Sequence, residues 1–259
     1  MRNLLASVAI AAATVSTAFA EGAKPTVVLV HGAFAGTSSW NGVVEILLKD
    51  GYPVVAMSNP LRGVQSDADY VSDTVASIKS PVVLVGHSYG GAVISAAAKA
   101  GSNVKALVFV AGIAPDIGET TASLSGKFPG GTLGPTLAPP VPLSSGGNDL
   151  YIQQDKFHAQ FAADVPVAAA MVLAATQRPV TDTALNEPQA SAAWKDIPSW
   201  FIYGDLDKNI PAAAQEFMAK RAKARKVTAV KGASHMVMVT NPRLVADVIE
   251  EAAKVAMQP

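Results

Sequence analysis

Residues 82–91 read Val-Val-Leu-Val-Gly-His-Ser-Tyr-Gly-Gly. The apolar run predicts a buried strand, and the break at Gly86 predicts a sharp reversal into a helix. Backbone is crowded at such a reversal, and Gly86 and Gly90 leave room where a Cβ would clash. Ser88, at the centre of this G-x-S-x-G pattern, is therefore expected at the carboxyl end of a sheet with its Oγ facing a crevice. The N–H of Tyr89, opening the following helix, is expected to point toward an oxygen bound nearby.

A serine so placed needs a base and an acid, expected downstream in the order Ser, acid, His, each at the end of a later strand. Ser199-Trp200-Phe201-Ile202-Tyr203 is strand-like and runs into Gly204-Asp205-Leu206-Asp207-Lys208-Asn209-Ile210-Pro211, before a helix expected near Pro211. The short strand 227–230 is followed by Lys231-Gly232-Ala233-Ser234-His235, which puts His235 on a loop at the same sheet edge as Ser88. Imidazole within hydrogen-bond reach takes the hydroxyl proton as the serine attacks a carbonyl, and a buried carboxylate holds the ring in the right tautomer. Asp207 is the preferred carboxylate. Asp205 is open as a turn former or helix cap, and Asp116, after the strand 106–110, is a third candidate beside the turn residues Pro115 and Gly118.

The remaining histidines read differently. His31 and Gly32 follow the apolar strand 26–30, and His31 is expected to organise that loop through hydrogen bonds. His87 lies inside the serine turn with its side chain directed away from Ser88, so it reads as packing. His158 reads as a partly exposed helix residue, with lining of the substrate pocket as the alternative.

A chain of 259 residues, 50% hydrophobic, can bury one large core, and its strand-helix alternation predicts a single α/β domain with a mostly parallel sheet flanked by helices. Lys plus Arg equals Asp plus Glu at 20 each, so no face for nucleic acid is implied. No cluster of metal-ligating residues stands out, and the one glycine-rich strand-to-helix turn is built around serine rather than a dinucleotide pattern; neither a metal nor another cofactor is expected. Between 115 and 195 the pattern changes. Residues 126–147 are crowded with Gly and Pro and should continue neither sheet nor helix. Helices are expected over 153–163 and 166–175, and the whole insertion is expected to cap the catalytic edge over an apolar pocket.

From residue 26 to 257 the chain resembles an α/β-hydrolase, within the small cofactor-free group that includes plant methyl-ester esterases and hydroxynitrile lyases. The resemblance rests on Val-His-Gly-Ala at 30–33 with Trp40, Val-Gly-His-Ser-Tyr-Gly-Gly at 85–91, Ala-Pro-Asp at 114–116, Asp207-Lys208 with Pro211, and Gly232-Ala233-Ser234-His235-Met236. It implies Ser88 as nucleophile, Asp207 as acid, His235 as base, and the N–H groups of Ala33 and Tyr89 as the oxyanion hole. The cap does not match well. In the lyases of that group, as the resemblance has it, a threonine stands at the place of Gly32 and a lysine follows the catalytic histidine, where this chain has Met236. The expected activity is therefore cleavage of a small-to-medium carboxylic ester through an acyl-enzyme. A lyase, a cofactor-free oxidase or peroxidase, and a silent binding protein are the alternatives on this scaffold.

Arg2, the short apolar stretch 4–15 and Ala18-Phe19-Ala20 read as a secretory signal removed after Ala20. The mature chain, 21–259, is then a hydrolase domain in the periplasm or secreted, with no membrane anchor and, lacking cysteine, no disulfide. Mass spectrometry of protein exported by a bacterial host should find Glu21 as the first residue. A mature chain that starts at Met1 would return this segment to the fold.

Overall fold

The computed structural model describes residues 24–98 and 102–257, so the signal segment expected over 1–20 lies outside the described residues. In chain order the strands are β1 (Thr26–Val30), β2 (Val54–Met57), β3 (Val82–His87), β4 (Val104–Val110), β5 (Val141–Pro142), β6 (Asn148–Leu150), β7 (Val180–Thr181), β8 (Ser199–Gly204) and β9 (Lys226–Val230). Six of them form one sheet in the order β2-β1-β3-β4-β8-β9, with every neighbouring pair parallel. The central strands are continuous apolar runs because both of their faces are covered; β1 and β3 are buried at every position, as parallel sheets require. The edges, β2 and β9, are only partly buried. Between β4 and β8 the register pairs Phe109 with Phe201, whose rings stack at 4.6 Å.

The helices are α1 (Asn41–Lys49), α2 (Val64–Ser77), α3 (Gly90–Ala97), α4 (Thr121–Ser125), α5 (Gln154–Phe161), α6 (Val167–Ala175), α7 (Asp182–Asn186), α8 (Ala212–Arg221), α9 (Val237–Thr240) and α10 (Pro242–Ala256). Helix α10 buries Val245, Val248, Ile249, Ala252 and Ala256, one stripe at a helical spacing. It packs on β3, β4 and α1, while α2 packs on α3, which lies against β1 and β3.

The strand order places the site. From β1 the chain moves outward to β2, then crosses back to β3 and continues in the other direction through β4. The loops leaving β1 and β3 therefore diverge, and a crevice opens at their carboxyl ends. Gly32 follows β1 and Ser88 follows β3. They touch so closely that a Cβ on Gly32 would lie 2.5 Å from the Ser88 Cβ.

The sequence pattern places the break of the third strand at Gly86. Pairing with β4 continues instead through His87, because a glycine inside a ladder still donates and accepts. The reversal is delayed to Ser88, whose backbone sits in the left-handed region at φ +53°. A Cβ on Gly86 would come within 2.5 Å of the Gly90 carbonyl oxygen, and one on Gly90 within 2.6 Å of that of Val30.

Residues between β4 and β8 hold the insertion, with α4, α5, α6, α7 and a small antiparallel sheet in the order β5-β6-β7. The Gly/Pro-rich stretch thus does enter a sheet, contrary to the pattern reading. Pro142 is tolerated because β5 is an edge strand, where a missing N–H leaves no neighbour unpaired. The insertion is fastened to the loop before α2. Arg62 bridges to Asp149 at 2.6 Å, and the Glu187 carboxylate accepts the Val64 N–H at 2.5 Å at the α2 N-terminus.

Gly86→Ala should lower the unfolding free energy by about 1–3 kcal/mol or prevent folding, since the new methyl meets rigid backbone. Urea denaturation measures it. Wild-type stability in the variant would show that the turn is looser than described.

Candidate active site

Each expected residue sits at the carboxyl end of a strand: Ala33 beyond β1, Ser88 and Tyr89 beyond β3, Asp207 beyond β8 and His235 beyond β9. Ala33, Ser88, Tyr89 and His235 line one cavity of about 320 Å³. Asp207 stands behind His235, and its Oδ2 accepts the ring's Nδ1–H at 2.6 Å, both side chains fully buried. Its Oδ1 accepts the N–H groups of Asn209 at 2.8 Å and Ile210 at 3.0 Å. Three donors thus satisfy a carboxylate that burial would otherwise penalise heavily.

The other two candidate carboxylates lie elsewhere. Asp205 accepts the Gly232 N–H at 2.6 Å and braces the loop that carries the histidine. Asp116 pairs with Lys195 and accepts the Ile117 N–H on an exposed turn.

Fixing Nδ1–H on Asp207 leaves Nε2 of His235 as the lone-pair nitrogen, and it has no hydrogen-bond partner among the described residues. The Ser88 backbone is held from three sides. Its N–H donates to Val110, and its carbonyl accepts from Gly91 and Ile113. The N–H of Phe34 is taken by the Arg178 carbonyl, whereas no carbonyl among the described residues takes the N–H of Ala33 or Tyr89. Two unclaimed donors thus flank the serine, one from each side of the crevice.

Two further imidazoles underlie the site. His31 donates Nδ1–H to the Gly32 carbonyl and accepts the Asn59 N–H at Nε2, both at 3.0 Å, which fixes it as a neutral loop organiser. His87 does more than pack. Its Nε2–H donates to the backbone carbonyl of His235 at 3.2 Å, and its ring lies 4.8 Å from the His235 ring. His158 is partly buried on α5, bonds the Val165 carbonyl and takes no part in the cavity wall.

Insertion residues complete the walls. Thr121, Ala122 and Ser125 come from α4, Leu133 from the Gly/Pro-rich stretch, Phe161 from α5 and Leu185 from α7. Helix α4 has no counterpart in the pattern reading, although its start is legible as a capping box between Thr120 and Ser123. The insertion also grips the Asp207 loop. Gln160 of α5 donates to the Asn209 side-chain oxygen at 2.8 Å and to the Lys208 carbonyl at 3.1 Å. Helix α6 lies outside the wall, with Met171 and Val172 exposed.

Burial keeps His31 and His87 neutral. It brings His31 down to about 4, against a small opposing effect of the Gly32 hydrogen bond, and holds His87 well below the ordinary imidazole value. Unfolded histidine takes its proton near 6.5 and folded His31 only near 4, so the unfolded chain binds more protons between those values. Stability is therefore full above about pH 6.5 and falls as the pH drops toward 4. Urea midpoints should correspond to about 1–3 kcal/mol less stability at pH 5.5 than at pH 7.5. A flat profile across that window would contradict neutral buried rings.

Residues 27–248 match the model of the alpha/beta hydrolase family. The alpha/beta hydrolase nvfD of Aspergillus novofumigatus is 28% identical, over 91% of this chain and 99% of its own length. The alpha-hydroxynitrile lyase of Arabidopsis thaliana is 25% identical, over 87% and 96%. Among solved structures, polyneuridine aldehyde esterase superposes with a TM-score of 0.76 at 20% identity, over 88% of this chain and 98% of that one. A sheet edge that presents a serine on a left-handed turn, together with a match spanning nearly all of the described residues, places the chain in the alpha/beta hydrolase family.

Proposed function

We propose that the protein is a serine esterase acting on a small-to-medium carboxylic ester, with Ser88, His235 and Asp207 as its triad. The observation that carries this reading is the buried Asp207–His235 hydrogen bond, with a bare His235 Nε2 in the same cavity wall as Ser88. Ser88 Oγ attacks the ester carbonyl while His235 Nε2 takes its proton, and Asp207 stabilises the imidazolium that forms. The N–H groups of Ala33 and Tyr89 receive the developing oxyanion. His235 returns the proton to the leaving alcohol, then activates the water that releases the acid. The walls of Phe34, Ala122, Leu133, Phe161 and Leu185 suit an acyl or alcohol group of modest size. Export, with cleavage after Ala20, belongs to the same proposal and rests on the sequence.

Two positions depart from the lyase pattern, Gly32 and Met236. A threonine at 32 would put its Cβ 2.5 Å from the Ser88 Cβ and 3.2 Å from its Oγ, and the residue after His235 is a buried methionine in place of the lyase lysine. The introduced side chain would have to displace the nucleophile.

A fluorophosphonate probe should label Ser88, and Ser88→Ala should lower hydrolysis of p-nitrophenyl esters by about 10⁴- to 10⁶-fold. Asp207→Asn should cost about 10⁴-fold, and Asp205→Asn far less. Labelling at another residue, or the reverse ranking of the two aspartates, would refute the assignment. Cyanide release from mandelonitrile without ester hydrolysis would refute the reaction while leaving the triad.

A further inference from the structure

One buried carboxylate has no part in the triad. Asp67, in the first turn of α2, is fully buried, yet no Lys or Arg among the described residues pairs with it. Burial pushes its pKa up, against the hydrogen bonds it receives. The Tyr89 hydroxyl donates to its Oδ2 at 2.9 Å, and the Arg62 N–H donates to its Oδ1 at 3.2 Å. Tyr89 is also fully buried and follows Ser88 directly.

The placement has a consequence for the oxyanion site. Tyr89 stands at the N-cap of α3, and its unclaimed N–H and its phenol share one Cα. The phenol is its only polar side-chain handle. A donor serves an oxyanion only if held within about 0.5 Å of its place, so anchoring the ring at its far end restricts the tilt of the residue that carries the N–H. The anchor is itself fixed. Arg62, whose N–H meets Asp67, bridges to Asp149 at 2.6 Å and donates to the Pro179 carbonyl at 3.0 Å, and its own carbonyl accepts from Thr181 at 2.9 Å. All three partners belong to the insertion.

We infer that Asp67 is a positioning residue for the oxyanion hole: it clamps the Tyr89 phenol and ties the N–H beside Ser88 to the loop gripped by the cap. The inference rests on the esterase reading, in which that N–H receives the oxyanion.

The test compares Tyr89→Phe, Asp67→Ala and Asp67→Asn in the full chain with p-nitrophenyl acetate and a trifluoromethyl ketone inhibitor. Tyr89→Phe and Asp67→Ala should each lower kcat about tenfold, less than the 10²- to 10³-fold typical of deleting a donor outright, with KM within twofold. Inhibitor affinity should fall by the same factor as kcat. Asp67→Asn keeps one acceptor oxygen for the phenol but turns an amide NH2 toward the Arg62 N–H, and should recover kcat only in part, above Asp67→Ala. If Asp67→Ala does not fold, Tyr89→Phe, which loses a single oxygen, carries the comparison. A lower Tm with unchanged kcat and inhibitor affinity would make the pair a plain staple between α2 and α3 and overturn the inference. Wild-type protein inert toward esters and unlabelled by fluorophosphonate would instead remove the functional reading, and the positioning role with it.

Discussion

The left-handed backbone of Ser88 is the constraint on which the rest of the structure depends. A non-glycine residue held there costs on the order of 1–3 kcal/mol and persists only where its surroundings leave no alternative. Here those surroundings are backbone. The α3 N-terminus runs so close to β1 and β3 that Gly86 and Gly90 admit no side chain, and the Ser88 carbonyl is tied to both Gly91 and Ile113. That closeness requires β1 and β3 to be neighbours, which the strand order supplies by reversing between them. The same reversal opens the crevice into which the serine points, so the strain and the cavity have one origin.

Charge at the site is managed by burial and hydrogen bonding. Three imidazoles lie wholly inside the protein around the serine. Two are held neutral, His31 by burial with both nitrogens occupied and His87 by burial beside His235. In the esterase reading, a charged ring next to His235 would oppose the imidazolium formed there, and His235 is the ring of the three that faces a carboxylate. Both oxygens of the Asp207 carboxylate are in turn satisfied, by two backbone N–H groups and the His235 ring. The loop from Gly204 to Pro211 sorts its two aspartates by geometry. Asp207 turns inward beneath Asn209 and Ile210, and Asp205 turns outward to Gly232.

What could be read from the sequence follows from how local the cause is. The serine turn and the apolar strands are short-range patterns, carried within a few positions by residues such as Val82, Gly86 and Ser88. The roles of His87 and Asp67 were not legible. Their partners are 148 and 22 residues away, and a buried polar residue looks the same in a chain whether it packs, pairs or positions. Of the insertion, the two helices α5 and α6 were legible and the rest only as an interruption. Its short helix α4 and edge strand β5 form against partners far along the chain, where tertiary pairing overrides a weak local pattern.

The cap is bound at more than one place, and those places coincide with the parts of the site that chemistry asks to be rigid. Gln160 reaches the loop of Asp207, Arg178 takes the N–H of Phe34 next to Ala33, and Glu187 and Asp149 hold the loop before α2. Two of these contacts join the insertion to loops that carry expected site residues, the Asp207 loop and the Ala33 turn, and the others join it to the loop before α2. The insertion is thus tied by side-chain and backbone hydrogen bonds to the loops around the cavity whose wall it shares.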